Sequence, residues 1–324
     1  MDKRLFGYTE DNKEIYAYTI KDKDLEIEVL NYGCIVRRLL YKGVDVVLGH
    51  GDTKGYVDRV CYYGCVAGRY ANRINNGVFS IKDIEYKVST NDGNNHLHGG
   101  FIGFNKRLWD AEATENSITL SYLSPDGEEG FPGNLDLKLE YKLENNSLII
   151  NYYGKSDEDT ICNLTNHSYF NLNGHGNGDI LNHTLTINAS SYTPVDNELI
   201  TTGEIKSVEN TVYDFRKGKK VGSDISESFN GYDTNFCLDS EFAAVLENDK
   251  IRMEVYTDKP GIQLFSGNNI NDTGKDNMPY NKYAGLCLET QYYPDSINKQ
   301  NFPSPLLKAG DEYKTYTIYK FLDK

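Results

Sequence analysis

Leu25, Ile27 and Val29 alternate with Glu26 and Glu28, and this two-residue period recurs along the chain. It marks half-buried β-strands. Phe79 and Ile81, then Ile84, Tyr86 and Val88, follow the tight-turn signal Asn76-Gly77 and read as a hairpin across Lys82-Asp83. Ile118, Leu120 and Tyr122 run into Ser124-Pro125-Asp126-Gly127, where proline presets φ and glycine accepts a positive φ. The cleanest alternation is Leu135, Leu137, Leu139, Tyr141 and Leu143, turned by Glu144-Asn145-Asn146 and returned by Leu148, Ile150 and Tyr152. Further strands are expected at Leu185–Ile187, around Met253 and Val255, and from Tyr313 to Phe321. No stretch of about 12 residues carries a helical stripe. Many strands with one polar face predict an all-β fold, a large antiparallel β-sandwich. No linker-like segment interrupts the chain, so residues 1–324 are read as a single domain. The longest irregular zones are expected near 91–110, 163–182 and 266–283, and long loops of this kind are often functional.

Charge narrows the partners. The 324 residues carry 34 Lys plus Arg against 48 Asp plus Glu, a formal net charge of -14. A nucleic-acid binder needs a basic face, and an anionic membrane surface attracts one, so neither is an expected partner. The N-terminal residues lack the apolar core of a signal peptide, and no apolar run approaches the roughly 20 residues of a membrane span. Cys34, Cys61, Cys65, Cys162, Cys237 and Cys287 are scattered without a Cys-x-x-Cys pair. They read as free, mostly buried thiols in a reducing cytosol, so a cytoplasmic protein is expected. Tyr is the unusual count, 26 against 13 Phe and a single Trp. Tyrosine favours strands and also lines sites that need both a ring and a hydroxyl.

Three segments could carry chemistry. In Asn95-His96-Leu97-His98-Gly99-Gly100 the two histidines at i, i+2 would share a strand face. Zinc is conceivable there, but a third ligand at supportive spacing is missing. A histidine that hydrogen-bonds a ligand is the preferred reading. In Asn163–Leu172 a strand would place Thr165, His167 and Tyr169 on one side, with His167 among hydrogen-bonding neighbours and able to move protons near neutrality, although taken alone the segment reads as a buried histidine on a sheet. In Ala284–Gln291, Leu286 and Leu288 share one face and Cys287, Glu289 and Gln291 the other. Glu289 is the only charge from Ala284 to Pro294, so it needs a partner such as Arg73, or a job such as general base. Gly68-Arg69-Tyr70-Ala71-Asn72-Arg73-Ile74 adds donors able to hold hydroxyls or fix a carboxylate. Neither a phosphate-binding Gly-x-x-x-x-Gly-Lys loop nor a Gly-x-Ser-x-Gly elbow occurs.

Together these pieces resemble the aldose 1-epimerase (galactose mutarotase) family. The matching runs are 68–74, 95–100, Thr165–Leu172, Gly231-Tyr232-Asp233-Thr234-Asn235-Phe236, Pro260-Gly261-Ile262-Gln263, and Leu288-Glu289-Thr290-Gln291 followed by Pro294-Asp295-Ser296 and Asn301-Phe302-Pro303. Six motifs in the family's order make the match specific. The resemblance implies a galactose-mutarotase-type sandwich with an open sugar cleft, no cofactor and no metal. It also implies that Glu289 is the general base, that His167 is the general acid, and that Asn72, Arg73, His98, Asp233 and Gln263 hold the sugar. One position departs: Thr234 stands where the family usually has His, which leaves the preferred hexose open.

The implied reaction interconverts the α and β anomers of a free hexose such as galactose or glucose. A base takes the proton from the C1 hydroxyl while an acid protonates the ring oxygen, and the open chain rotates about C1–C2 before closing. His167 would then have to be protonated while Glu289 is ionised. A hexose-6-phosphate 1-epimerase would want more cations than Arg69 and Arg73. A non-catalytic sugar-binding module would not need both His167 and Glu289, and a glycosidase would use two carboxylates, formally Asp233 and Glu289. A small-molecule monosaccharide is the expected partner, on a monomer or homodimer.

Overall fold

The computed structural model describes residues 1–58, 62–228 and 230–324. Among these, strands dominate, and the one α-helix is the single turn Thr53–Val57. The expected hairpins form. Leu135–Glu144 pairs with Ser147–Ser156 through a two-residue turn. Asn145 and Asn146 both take positive φ there, 52° and 58°, which is the type I′ geometry that matches strand twist. Val78–Ile81 pairs with Ile84–Lys87 around Lys82-Asp83, and Gly127 takes φ 77° after Pro125-Asp126.

The Leu135–Ser156 hairpin lies inside a nine-stranded sheet, beside the C-terminal strand Glu312–Asp323 and then Ile251–Thr257. A six-stranded sheet carries the site. Its order is Tyr169–Phe170, Leu286–Gln291, Gly261–Phe265, Asp233–Cys237, Ser191–Thr193 and Lys206–Ser207, all antiparallel. The two sheets share one apolar core, in which Leu286, Leu288, Ile262 and Leu264 meet Leu139, Ile150 and Tyr319. Polar stitches cross it: the Tyr319 hydroxyl donates to the Leu288 carbonyl at 3.1 Å, and Thr290 and Thr317 hydroxyls meet at 2.5 Å. An N-terminal five-stranded sheet, Asp2–Tyr8 to Val44–Asp45, adds Ile20, Leu25 and Ile27 to the same core.

This packing separates the parities read in Ala284–Gln291. Leu286 and Leu288 are drawn into the core, which turns Cys287, Glu289 and Gln291 to the opposite face. The segment 163–172 differs from the continuous strand expected. Thr165–Asn166 pairs with Val66–Ala67, while Tyr169–Phe170 pairs with Leu286–Cys287. Between them Asn166 Oδ1 accepts from both the backbone N–H and the hydroxyl of Ser168. A local side-chain acceptor of this kind competes with the strand ladder, and the segment changes neighbours at His167. Cys34, Cys65, Cys162, Cys237 and Cys287 are free and buried, whereas Cys61 lies outside the described residues. No helix among the described residues is long and apolar enough to cross a membrane.

Candidate active site

Strand register builds the floor of a cleft. Glu289 lies opposite Gln263, and Gln263 opposite Asn235, so three polar residues stand in a row on adjacent strands. Two residues along, Asp233 accepts from Gln263 Nε2 at 2.6 Å. From the other side His167 is delivered by the break described above, with its backbone N–H on Cys65 O and its carbonyl accepting from Gly64 N–H. Its Nε2 lies 3.5 Å from Glu289 Oε1. The ring is stacked between Tyr62 and Tyr169, with centroids at 5.5 and 5.0 Å. The resulting cleft, about 210 Å³, is lined by Asn72, Arg73, His98, His167, Asp233 and Glu289 together with several apolar side chains.

Backbone geometry places Asn72 and His98. Both take positive φ, 63° and 51°, and they bond each other twice. Asn72 N–H donates to His98 Nδ1 at 3.1 Å, and His98 N–H donates to Asn72 O at 3.1 Å. The first bond fixes the tautomer. Nδ1 is an acceptor, so in the neutral ring the proton sits on Nε2, which is left to donate into the cleft. Arg73 is anchored by Asp92 at 2.8 Å rather than paired directly with Glu289. Its charge still favours ionisation of both Glu289 and Asp233.

The i, i+2 histidines do not share a face. The short strand ends at Leu97, and His98 then turns into the left-handed region. His96 points elsewhere, its Nδ1 on Ser89 O at 2.7 Å and its Nε2 accepting from Gly99 N–H. A different trio does converge: ligand atoms of His98, His167 and Glu289 lie within 4.8 Å of one another. Two histidines and a glutamate suit zinc by type. The Asn72 N–H, however, holds the His98 proton on Nε2, and a ligating Nε2 would have to give that proton up to Nδ1 and lose the bond. The donor chemistry therefore suits a sugar oxygen better than a cation.

Burial decides the charge state. It pushes Glu289 well above the ordinary carboxylate value, with Asp233 adding to the rise and Arg73 opposing it. It pulls His167 down to about 4 and His98 well below its usual value. Asp233 is raised too, again by burial first. The sequence called for an ionised Glu289 beside a protonated His167. Burial by itself favours the neutral pair, with Asp233 acting on Glu289 in the same direction and Arg73 against it. Glu289 Oε2 and Gln263 Oε1 are buried and bonded by no protein group. Polar atoms left like this cost stability unless a ligand meets them.

Some residues take roles that the sequence did not separate. Arg69 is structural: its fully buried guanidinium donates to the carbonyls of Pro132 and Gly133 at 2.9 Å and to those of Ser124 and Pro125 at 3.3 Å. Arg69→Met should lower stability by about 3 kcal/mol, since it strands buried acceptors; the midpoint of urea unfolding measures this. Gln263 is not among the side chains that line the cleft; its Nε2 donates to Asp233, which is. Thr234 follows Asp233 on the same strand and pairs with Leu264 across the ladder, so its side chain takes the opposite parity to Asp233. Tyr62 had no signal in the sequence, because only the fold brings it to His167. Phe265 shares the parity of Gln263 and was legible in principle.

A family model described as aldose 1-epimerase matches residues 16–320. The chain belongs to the aldose 1-epimerase family. It is 42% identical over 321 residues to the galactose mutarotase of Bos taurus, covering 95% of this chain and 94% of that protein. It is 36% identical over 295 residues to the aldose 1-epimerase of Escherichia coli K12, covering 86% of this chain and 85% of the other. Among solved structures, galactose 1-epimerase from Lactobacillus acidophilus NCFM superposes with a TM-score of 0.90 at 30% identity, covering 100% of this chain and 99% of that one. A Caenorhabditis elegans aldose epimerase homologue also gives 0.90, at 27% identity over 95% of this chain and 98% of its own. Family membership makes the chain an isomerase, an aldose 1-epimerase.

Proposed function

We propose that this aldose 1-epimerase opens and recloses the ring of a free hexose, galactose or glucose, with Glu289 and His167 exchanging protons with O1 and O5. The observation that carries the reading is the 3.5 Å approach of His167 Nε2 to Glu289 Oε1 on the floor of the cleft. An O1–C1–O5 unit bonded to both groups needs no other acid or base. In opening, Glu289 carboxylate takes the O1 proton, His167 Nε2–H protonates O5, and the C1–O5 bond breaks to leave the aldehyde. The pair is then neutral, Glu289 protonated and His167 not. Rotation about C1–C2 presents the other carbonyl face, His167 takes the proton back from O5, and Glu289 returns one to O1. The neutral pair that burial favours is thus the one that accompanies the open chain. Burial of the pair thereby supports ring opening.

His98 Nε2–H and the Asn72, Arg73 and Asp233 side chains supply donors and acceptors for the remaining hydroxyls, and Gln263 holds Asp233 in place. Aromatic walls at Tyr62 and Phe265 suit the apolar faces of a pyranose. Arg73 is the one cation lining the cleft among the described residues, and it is committed to Asp92. That arrangement supports a neutral sugar over a phosphosugar. A buried core cluster running from Tyr18 to Phe321 supports one domain.

Polarimetry on freshly dissolved α-galactose and α-glucose tests the reading: mutarotation should accelerate with protein, and no acceleration of either sugar sinks it. The pH profile follows from the shared proton. The active pair holds one proton, so kcat/KM should fall on the acid side as His167 gains a second, near pH 4. On the alkaline side it should fall only where Glu289 finally ionises, well above the ordinary carboxylate range. An acid limb near 6.5 would show that His167 is not held down by burial.

A further inference from the structure

The second ring nitrogen of His167 has a partner that the reaction does not use. Cys287 Sγ lies 3.4 Å from His167 Nδ1. Cys287 and Glu289 stand at i, i+2 on one face of the Leu286–Gln291 strand, so a single strand register brings one side chain to each ring nitrogen. The other neighbours meet the ring differently: Tyr62 and Tyr169 stack on it and His98 meets it edge-on at 5.1 Å.

The tautomer matters because Nε2 faces Glu289. After Nε2 gives its proton to O5, it can take one back only if its lone pair is free, which requires the remaining proton to stay on Nδ1. We propose that Cys287 is a positioning residue, its sulfur accepting the Nδ1–H of His167 and so holding the neutral ring with the Nε2 lone pair toward Glu289 and the sugar. The inference rests on His167 being the acid.

A sulfur suits this role. It is a weak and uncharged acceptor, so it orients the ring without stabilising the imidazolium as a carboxylate would. The imidazolium stays a strong acid, as protonation of an ether oxygen demands. Full burial keeps Cys287 a thiol, and the strand ladder sets Tyr169 directly opposite it.

The test labels histidine with ¹⁵N in the full chain and reads the His167 tautomer by NMR, assigned with His167→Gln. Wild type should be protonated at Nδ1. In Cys287→Ala and Cys287→Val the Nε2–H form should gain, with kcat for α-galactose falling about tenfold, the worth of one hydrogen bond, and KM unchanged. Valine refills the space without an acceptor. Recovery of kcat in Cys287→Val, an Nε2–H ring in wild type, or an unchanged tautomer in both variants would each overturn the proposal. If His167→Gln keeps full activity, the acid assignment fails, while the NMR result still reads the sulfur contact.

Discussion

Glu289→Gln should lower kcat by about 10²–10⁴-fold, the usual worth of a positioned base, while leaving the protein at least as stable as wild type. Both halves follow from the same environment. Glu289 is 2% exposed, and burial holds its proton well above the ordinary value of 4.5. A glutamine has nearly the shape of the protonated acid but accepts no proton from O1. The stability sign is worked from linkage. A carboxyl whose folded pKa is raised contributes fully below its unfolded value, and that contribution is lost as pH rises toward the folded value. At neutral pH the wild-type carboxyl is therefore a penalty, and the amide removes it. Polarimetric kcat together with thermal unfolding at pH 7 checks the pair. Near-normal activity would mean that another group takes the O1 proton, and Asp233 would be the first to test.

His167→Gln should also cost about 10²–10⁴-fold in kcat, with KM for α-galactose changed far less, because the lost interaction develops only as the ring oxygen gains its proton. Residual activity should no longer show the acid limb near pH 4. This variant has a stability signature of its own. A histidine whose folded pKa is depressed, here from 6.5 to about 4, contributes stability above 6.5 that is lost as pH falls through that window. His96 and His183 are held near the same value by burial, so the wild-type protein should lose stability progressively between those limits. His167→Gln should lose less than wild type across the same range, since one fewer buried imidazole has to be charged. Unfolding midpoints at several pH values measure this, and equal slopes would mean that His167 is not buried neutral.

Particular residues show where sequence reasoning reached and where it stopped. The alternation Leu286, Leu288 against Cys287, Glu289, Gln291 was enough to place Glu289 on a polar face, because a core that buries leucines must expel the other parity. The same reasoning failed for His96 and His98. Their spacing promised one face, but the strand stops between them and a positive φ at His98 redirects the chain. Backbone turns of that kind are set by the bonds Asn72 makes from 26 residues away, which no local window contains. Arg69 and Arg73 looked alike in the sequence, yet one is sealed under carbonyls and the other lines the cleft. Thr234 drew notice as a departure from the family, and the ladder turns it away from Asp233.

The two-residue period, the Asn145-Asn146 turn and the scarcity of helical stripes determined an antiparallel β protein on their own, because each is a local preference of backbone and side chain. The ordered motifs determined the family, and with it the residues most worth watching. The meeting of His167 with Glu289, 122 residues apart in the chain and 3.5 Å apart in space, was decided only by tertiary structure. So was the charge state of that meeting. A pKa depends on how much water and which charges surround a group, and that environment exists only once the strands have closed around it.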